Sequence, residues 1–165
     1  MISTRTRAAL LLGGACFAGY ALTAAPGVTW EHNGEDGPEF AAVGLVFGIP
    51  HPTGYPLFTL LLRLAVRLGQ LGGLEPARSA TLLTAFCGAT AVTLLAWLFM
   101  TWLERAGAAP GVAWCGLVGA ALFAVSPNFW GQANIIEVYP LHLAFVALLF
   151  GLATTWRGSP ARLAL

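Results

Sequence analysis

The chain has 165 residues, of which 58% are hydrophobic and only 9% charged, with a formal net charge of +1 and a mean hydropathy of +0.76. Ordinary soluble domains carry roughly 25% charged residues, so the composition excludes that class and points to an all-α, polytopic transmembrane helical bundle. A nucleic-acid partner is excluded as well, because all eight positive charges are scattered arginines and form no basic stripe.

The first apolar run, 8–25, approaches the ~20 residues that a helix needs to cross hydrocarbon. Its flanks, "MISTRTR" and "LTAAPG", also resemble a secretory signal, but further apolar runs follow and an uncut first span serves the same targeting role. The long segment 26–79 comes next, and it holds most of the polar chemistry. Within "WEHNGEDGPEF", Glu31, Glu35, Asp36 and Glu39 supply four of the seven carboxylates in the chain. Asp36 at an N-cap and Glu39 three positions on would make a capping box that opens a short helix over 37–47, with Pro38 in its first turn.

The connector "FGIPHPTGYP" packs three prolines, two glycines and His51 into ten positions. Proline disfavours the helical region for the residue before it, so Ile49, His51 and Tyr55 are expected to be extended, and Pro52-Thr53-Gly54 reads as a turn. Residues 57–68 are too short to span. Arg63 and Arg67, four apart on one face, make them an interfacial amphipathic helix, which Gly72-Gly73 and Pro76 then end. Three more spans are expected at 80–103, 111–125 and 140–156, with Ala109-Pro110 entering the third. Cys16, Cys87 and Cys115 sit singly in apolar runs without metal-ligand spacing and read as small core residues.

Arg5, Arg7, Arg105, Arg157 and Arg162 flank these four spans, and the positive-inside rule puts all five in the cytoplasm. By parity, 26–79 and 126–139 both face outwards. Arg63, Arg67 and Arg78 stand against that assignment, since it leaves them outside.

A carboxylate in a membrane-facing cleft also suits a general base, which makes Asp36 and Glu39 candidate catalytic residues beside the capping role that their spacing alone favours. His51 and Tyr55 would line the same cleft. The second outward segment adds Gln132, Glu137, Tyr139 and His142 as candidate substrate-binding residues. Trp130 and Tyr139 also suit a headgroup-level aromatic belt, whereas Glu137 and His142 would be costly inside hydrocarbon.

The stretches "APGVTW", "DGPEF", "GIPHPTGYPLFTLL" and "FWGQANIIEVYPLH" resemble the N-terminal part of a family of bacterial multispanning proteins of unknown function. That family is similar to the eukaryotic protein O-mannosyltransferases of the GT-C type. The resemblance covers about 25–144, and its His-Pro-x-Gly-Tyr-Pro motif is its most specific part. It implies an acidic catalytic residue in the first external loop, matching Asp36 and Glu39, and a sugar donor linked to polyprenyl phosphate. The family usually shows Asp-Ser-Gly-Glu or Asp-Thr-Gly-Glu where this chain has Asp36-Gly37-Pro38-Glu39. Its members are also much longer, so the chain reads as one transmembrane region of a longer protein.

The function implied is sugar transfer from a polyprenyl-phosphate donor to a hydroxyl acceptor outside the cytoplasm, in a bacterial inner membrane with a cytoplasmic N-terminus. Arg63 or Arg67 would meet the leaving phosphate or, equally, anionic lipid. No cofactor is called for and no metal ligand set is assigned, with a divalent cation left open. A lipid-linked-substrate transporter module or a non-catalytic membrane scaffold is the alternative. Transporters place ionisable groups at mid-bilayer, and these spans carry none there.

Overall fold

Ser3 opens the first helix, its hydroxyl accepting the Thr6 amide at 3.1 Å and satisfying a donor that a helix start leaves free. The computed structural model describes residues 2–28, 36–109 and 111–156, and these form seven helices with no strand among the described residues. They are α1 (Thr4–Thr23), α2 (Asp36–Val46), α3 (Pro56–Leu71), α4 (Pro76–Arg105), α5 (Trp114–Ala124), α6 (Pro127–Ala133) and α7 (Tyr139–Thr155). Glu31, Glu35, Pro110, Arg157 and Arg162 lie outside the described residues.

Local chemistry sets several boundaries. Proline occupies the first turn of α3, α4, α6 and α7, where its missing N–H costs nothing. At its other end α3 stops in a Schellman arrangement. Leu74 N–H donates to the Gly69 carbonyl at 2.8 Å and Gly73 N–H to that of Gln70 at 3.1 Å, with Gly73 at φ +77°.

The long helix α4 runs through the middle and touches all six others. Small residues make that close approach possible. A Cβ on Gly116 would stand 2.6 Å from the Met100 backbone nitrogen, so α5 meets α4 nearly backbone to backbone. The buried stripe of α1 is Ala9, Gly13, Cys16 and Tyr20, and α7 buries Pro140, Ala144, Ala147 and Gly151. Larger apolar side chains, among them Leu11, Leu22, Leu122, Leu149 and Phe150, point outwards. Small residues inside and large apolar residues outside is the packing expected of helices in lipid.

Helix length and composition do not confirm the four expected spans. The one described helix both long and apolar enough to cross a membrane is α4, whose 30 residues extend about 45 Å. Where a span over 111–125 was expected, α5 has only 11 helical residues, about 16 Å against a hydrocarbon core of ~30 Å. The 17 residues of α7 reach about 25 Å. The 20 residues of α1 are long enough, but Arg5 and Arg7 occupy its first turns. Four full spans are therefore not established.

Charges and polar residues separate to two ends. At one, Arg5 pairs with Glu104, Arg105 donates to the Thr154 carbonyl, and the Trp102 indole donates to Thr154 Oγ1 at 2.7 Å. At the other, Ala25 N–H donates to the Asn134 carbonyl at 3.0 Å and Glu137 N–H to Thr84 Oγ1 at 3.3 Å. The two polar segments thus share the N-terminal end of α4. Arg78 is built into this end. Its guanidinium donates to the carbonyls of Ala21 at 2.7 Å, Ala24 at 2.7 Å and Ala25 at 3.3 Å, closing the C-terminus of α1. That explains an arginine which the topology alone left unaccounted for.

Candidate functional site

Phe40 is the pivot around which the polar cluster is arranged. It is fully buried on α2, with its ring edge-on to Phe58 at 5.2 Å and Tyr55 at 5.7 Å, and tilted against His51 at 5.9 Å. Ala41, Leu62, Ala80 and Ile136 complete this apolar support, so α2, α3, α4 and the α6–α7 connector all hold it.

One residue before Phe40, Glu39 reaches across to the connector. Its Oε1 accepts the His51 backbone N–H at 2.8 Å, and its Oε2 lies 2.5 Å from His51 Nδ1. The other ring nitrogen, Nε2, lies 3.3 Å from the Tyr55 hydroxyl and 3.9 Å from Asp36 Oδ2. The side chains of Asp36, Glu39 and His51 remain about one-third to one-half exposed, so the cluster is open to a ligand.

Two local expectations are corrected here. Asp36 already lies within the described helix, and both Glu39 oxygens face His51, so among the described residues no capping-box bond joins Asp36 and Glu39. Tyr55 is not extended but left-handed, at φ 40° and ψ 56°. Both conformations avoid the right-handed helical region that Pro56 disfavours, and packing of the Tyr55 ring on Phe40 and His51 selects the rarer one. The turn over Pro52-Thr53-Gly54 is present, with Gly54 N–H donating to the His51 carbonyl at 2.8 Å and Gly54 at φ +80°.

The hydrogen bond to Glu39 raises the His51 pKa above the usual histidine value, with Asp36 and Glu137 adding to the effect. The same bond lowers that of Glu39. Glu137, whose carboxylate accepts the Val138 N–H at 3.2 Å, is pushed up chiefly by burial and further by Asp36. The His51 imidazole therefore responds to carboxylates from both α2 and the α6–α7 connector.

The remaining candidates lie apart from the cluster. Arg63 donates to the carbonyls of Gly44, at 3.2 Å, and Leu45, and stands 5.8 Å from the centre of the Phe47 ring, so it closes the end of α2. Arg67 is exposed. Tyr139 and His142 are exposed at the start of α7 and make no side-chain hydrogen bond to the cluster among the described residues. The Oε1 of Gln132 and the Oδ1 of Asn134 are buried without a hydrogen-bond partner among the described residues. Asn134 also lines a groove of about 710 Å³ beside Thr23, Pro26 and Trp130.

Asp36, Glu39 and His51 can bring three ligand atoms within 4.8 Å of one another. Glu39 already occupies His51 Nδ1, however, which leaves Nε2 and Asp36 facing a common point. Two donors are fewer than the three protein ligands usual at a catalytic zinc. Two features were missed from the sequence. The lack of a cation or glycine at the end of α1 signals carbonyls in need of an outside partner such as Arg78. The Glu39–His51 bond has no comparable signal in residue spacing.

The family described as "Protein O-mannosyl-transferase TMEM260 N-terminal domain" matches residues 36–163, beginning at Asp36. The "Protein O-mannosyl-transferase tmem260" of Dictyostelium discoideum is 30% identical over 140 residues, which are 85% of this chain and 16% of that protein. The "Protein O-mannosyl-transferase TMEM260" of Mus musculus is 34% identical over 128 residues, 78% of this chain and 17% of that protein. No solved structure matches.

The chain, all-α over its described residues and with an acidic, histidine-containing cluster at one end of an apolar bundle, is by these relatives related to the protein O-mannosyltransferases. In particular, it belongs to the TMEM260 N-terminal domain family. The chain spans about a sixth of the length of the curated relatives it matches.

Proposed function

We propose that this chain is the N-terminal transmembrane region of a GT-C type transferase that moves a sugar from a polyprenyl-phosphate donor to a hydroxyl acceptor outside the cytoplasm. The relatives' names support mannose as the sugar and a protein as the acceptor. The resemblance implies a bacterial inner membrane, crossed several times from a cytoplasmic N-terminus. The observation that carries the reading is the placement of Asp36, open to solvent, beside an ordered Glu39–His51 pair at the end of an apolar bundle.

In this mechanism Asp36 accepts the proton of the acceptor hydroxyl as that oxygen attacks the anomeric carbon. The new glycosidic bond forms while the carbon–oxygen bond to phosphate breaks on the opposite face. Polyprenyl phosphate leaves with the bonding pair, and the configuration inverts. On this reading an arginine offsets the phosphate charge; Arg67 is exposed on α3, whereas Arg63 is held by the end of α2. An apolar groove of about 600 Å³ runs between the connector and α3, lined by Phe47, Ile49, Pro50, Pro56 and Leu60. It suits the hydrocarbon of the donor, and it shares Thr53 and Gly54 with the turn that carries His51.

The test is Asp36→Asn in the sugar-transferring protein. Loss of the proton acceptor lowers turnover by roughly 10²-fold or more without lowering the melting temperature. Wild-type turnover in this variant would end the assignment of Asp36 as base.

A further inference from the structure

We propose that Glu39 and His51 act as a positioning dyad, Glu39 fixing the imidazole so that its Nε2 edge, braced by the Tyr55 hydroxyl, faces the Asp36 carboxylate at ion-pair distance. The inference rests on the reading of Asp36 as base and assigns Glu39 a different part from that of a second base.

Glu39 holds two points of the same residue, the backbone N–H and Nδ1 of His51, at 2.8 and 2.5 Å. Two contacts from one carboxylate fix both the place and the rotation of the ring, and Phe40 and Tyr55 close its faces. With Nδ1 spent on Glu39, Nε2 is the atom left to face Asp36, at 3.9 Å, and Tyr55, at 3.3 Å. The rigid His51–Gly54 turn fixes the backbone from which the ring projects. Such carboxylate–imidazole pairs orient the far nitrogen for its task, as they do when that nitrogen binds a metal or takes up a proton.

The protonation state decides whether the dyad works. In the imidazolium both nitrogens donate, so Nδ1–H is directed to Glu39 and Nε2–H to the Tyr55 hydroxyl at 3.3 Å, with the positive ring 3.9 Å from Asp36 Oδ2. In the neutral ring with Nδ1–H kept by Glu39, Nε2 accepts from the Tyr55 hydroxyl and the ring no longer offers Asp36 a positive charge. Positioning is therefore present at low pH and lost as pH rises through the His51 pKa. The groups facing the ring are Asp36 and Glu39 on α2, Tyr55 at the start of α3 and Glu137 before α7. Those that shift its titration upwards are Glu39 first, then Asp36 and Glu137.

Two measurements test this. The first uses the 165-residue chain in detergent with ¹⁵N-labelled histidine, following each ring nitrogen against pH and assigning His51 from its loss in His51→Gln. Glu39→Gln is expected to lower the His51 midpoint by roughly one pH unit, about the spread seen among protein histidines. An unchanged midpoint overturns the dyad, whatever the protein's activity. The second uses the sugar-transferring protein. In Glu39→Gln the alkaline limb of the turnover profile moves to lower pH by the same amount. In His51→Gln that limb disappears, and the double variant is no slower than His51→Gln alone. An alkaline limb unmoved in Glu39→Gln, or additive losses, overturns the positioning role. A wild-type protein that transfers no sugar, together with a shifted midpoint in the first measurement, overturns the transferase reading and leaves the Glu39–His51 pairing standing.

Discussion

Phe40 connects stability with chemistry at the scale of single residues. Its ring is fully buried and touches His51, Tyr55 and Phe58, so removing it opens a cavity beneath the polar cluster. Phe40→Ala is expected to cost about 3–5 kcal/mol in a thermal melt and to broaden the His51 ring resonances. Phe40→Leu, which refills most of the volume, costs less in the same melt. An unchanged melt for Phe40→Ala would show that the cluster does not rest on this ring. Asp36, Glu39, His51 and Tyr55 all stood out in the sequence, but the partnership of Glu39 did not. A carboxylate three residues after an aspartate fits a capping box in any helix, and only the fold-back of the connector brings His51 within its reach.

Among the elements, the joint between α1 and α4 is the most exposed to a single change. Arg78 holds three carbonyls at the end of α1, where a cation also opposes the helix dipole. Arg78→Met keeps the apolar stem and removes the cap, and should lower stability by about 1–2 kcal/mol in a detergent melt. Arg78→Lys recovers part of this loss, since an ammonium offers no planar fork to three acceptors. Equal melts for the arginine, lysine and methionine forms would contradict the cap. Close packing gives a second check, because Gly116 lies against the α4 backbone. Gly116→Val is expected to cost about 1–3 kcal/mol by forcing α5 away from α4. The boundaries of α3 were legible in advance, since Pro56 and Gly72-Gly73 are local signals that act through the backbone. The length of α5 was not. An apolar run of fifteen residues carries no mark of where its hydrogen bonds stop, and the first described residues of that run form turns before Trp114.

For the whole molecule, the central claim is that two polar segments a hundred residues apart form one site at one end of the bundle. Five arginines near the ends of apolar runs lead to the expectation of both segments on one side, because that rule depends on charge position and not on packing. What they could not reveal was which polar groups meet, a matter of side-chain geometry. The most direct measurement is labelling with a membrane-impermeant maleimide in whole cells, after outer-membrane permeabilisation where the host has one. The background replaces Cys16, Cys87 and Cys115 by alanine. Single cysteines are then placed at the exposed positions Ala42 on α2, Tyr139 at the start of α7 and, at the opposite end, Ala106 after α4. The account predicts that Ala42→Cys and Tyr139→Cys label from outside while Ala106→Cys labels only after the cells are lysed. Labelling of Ala42→Cys and Tyr139→Cys from opposite sides of the membrane would contradict it.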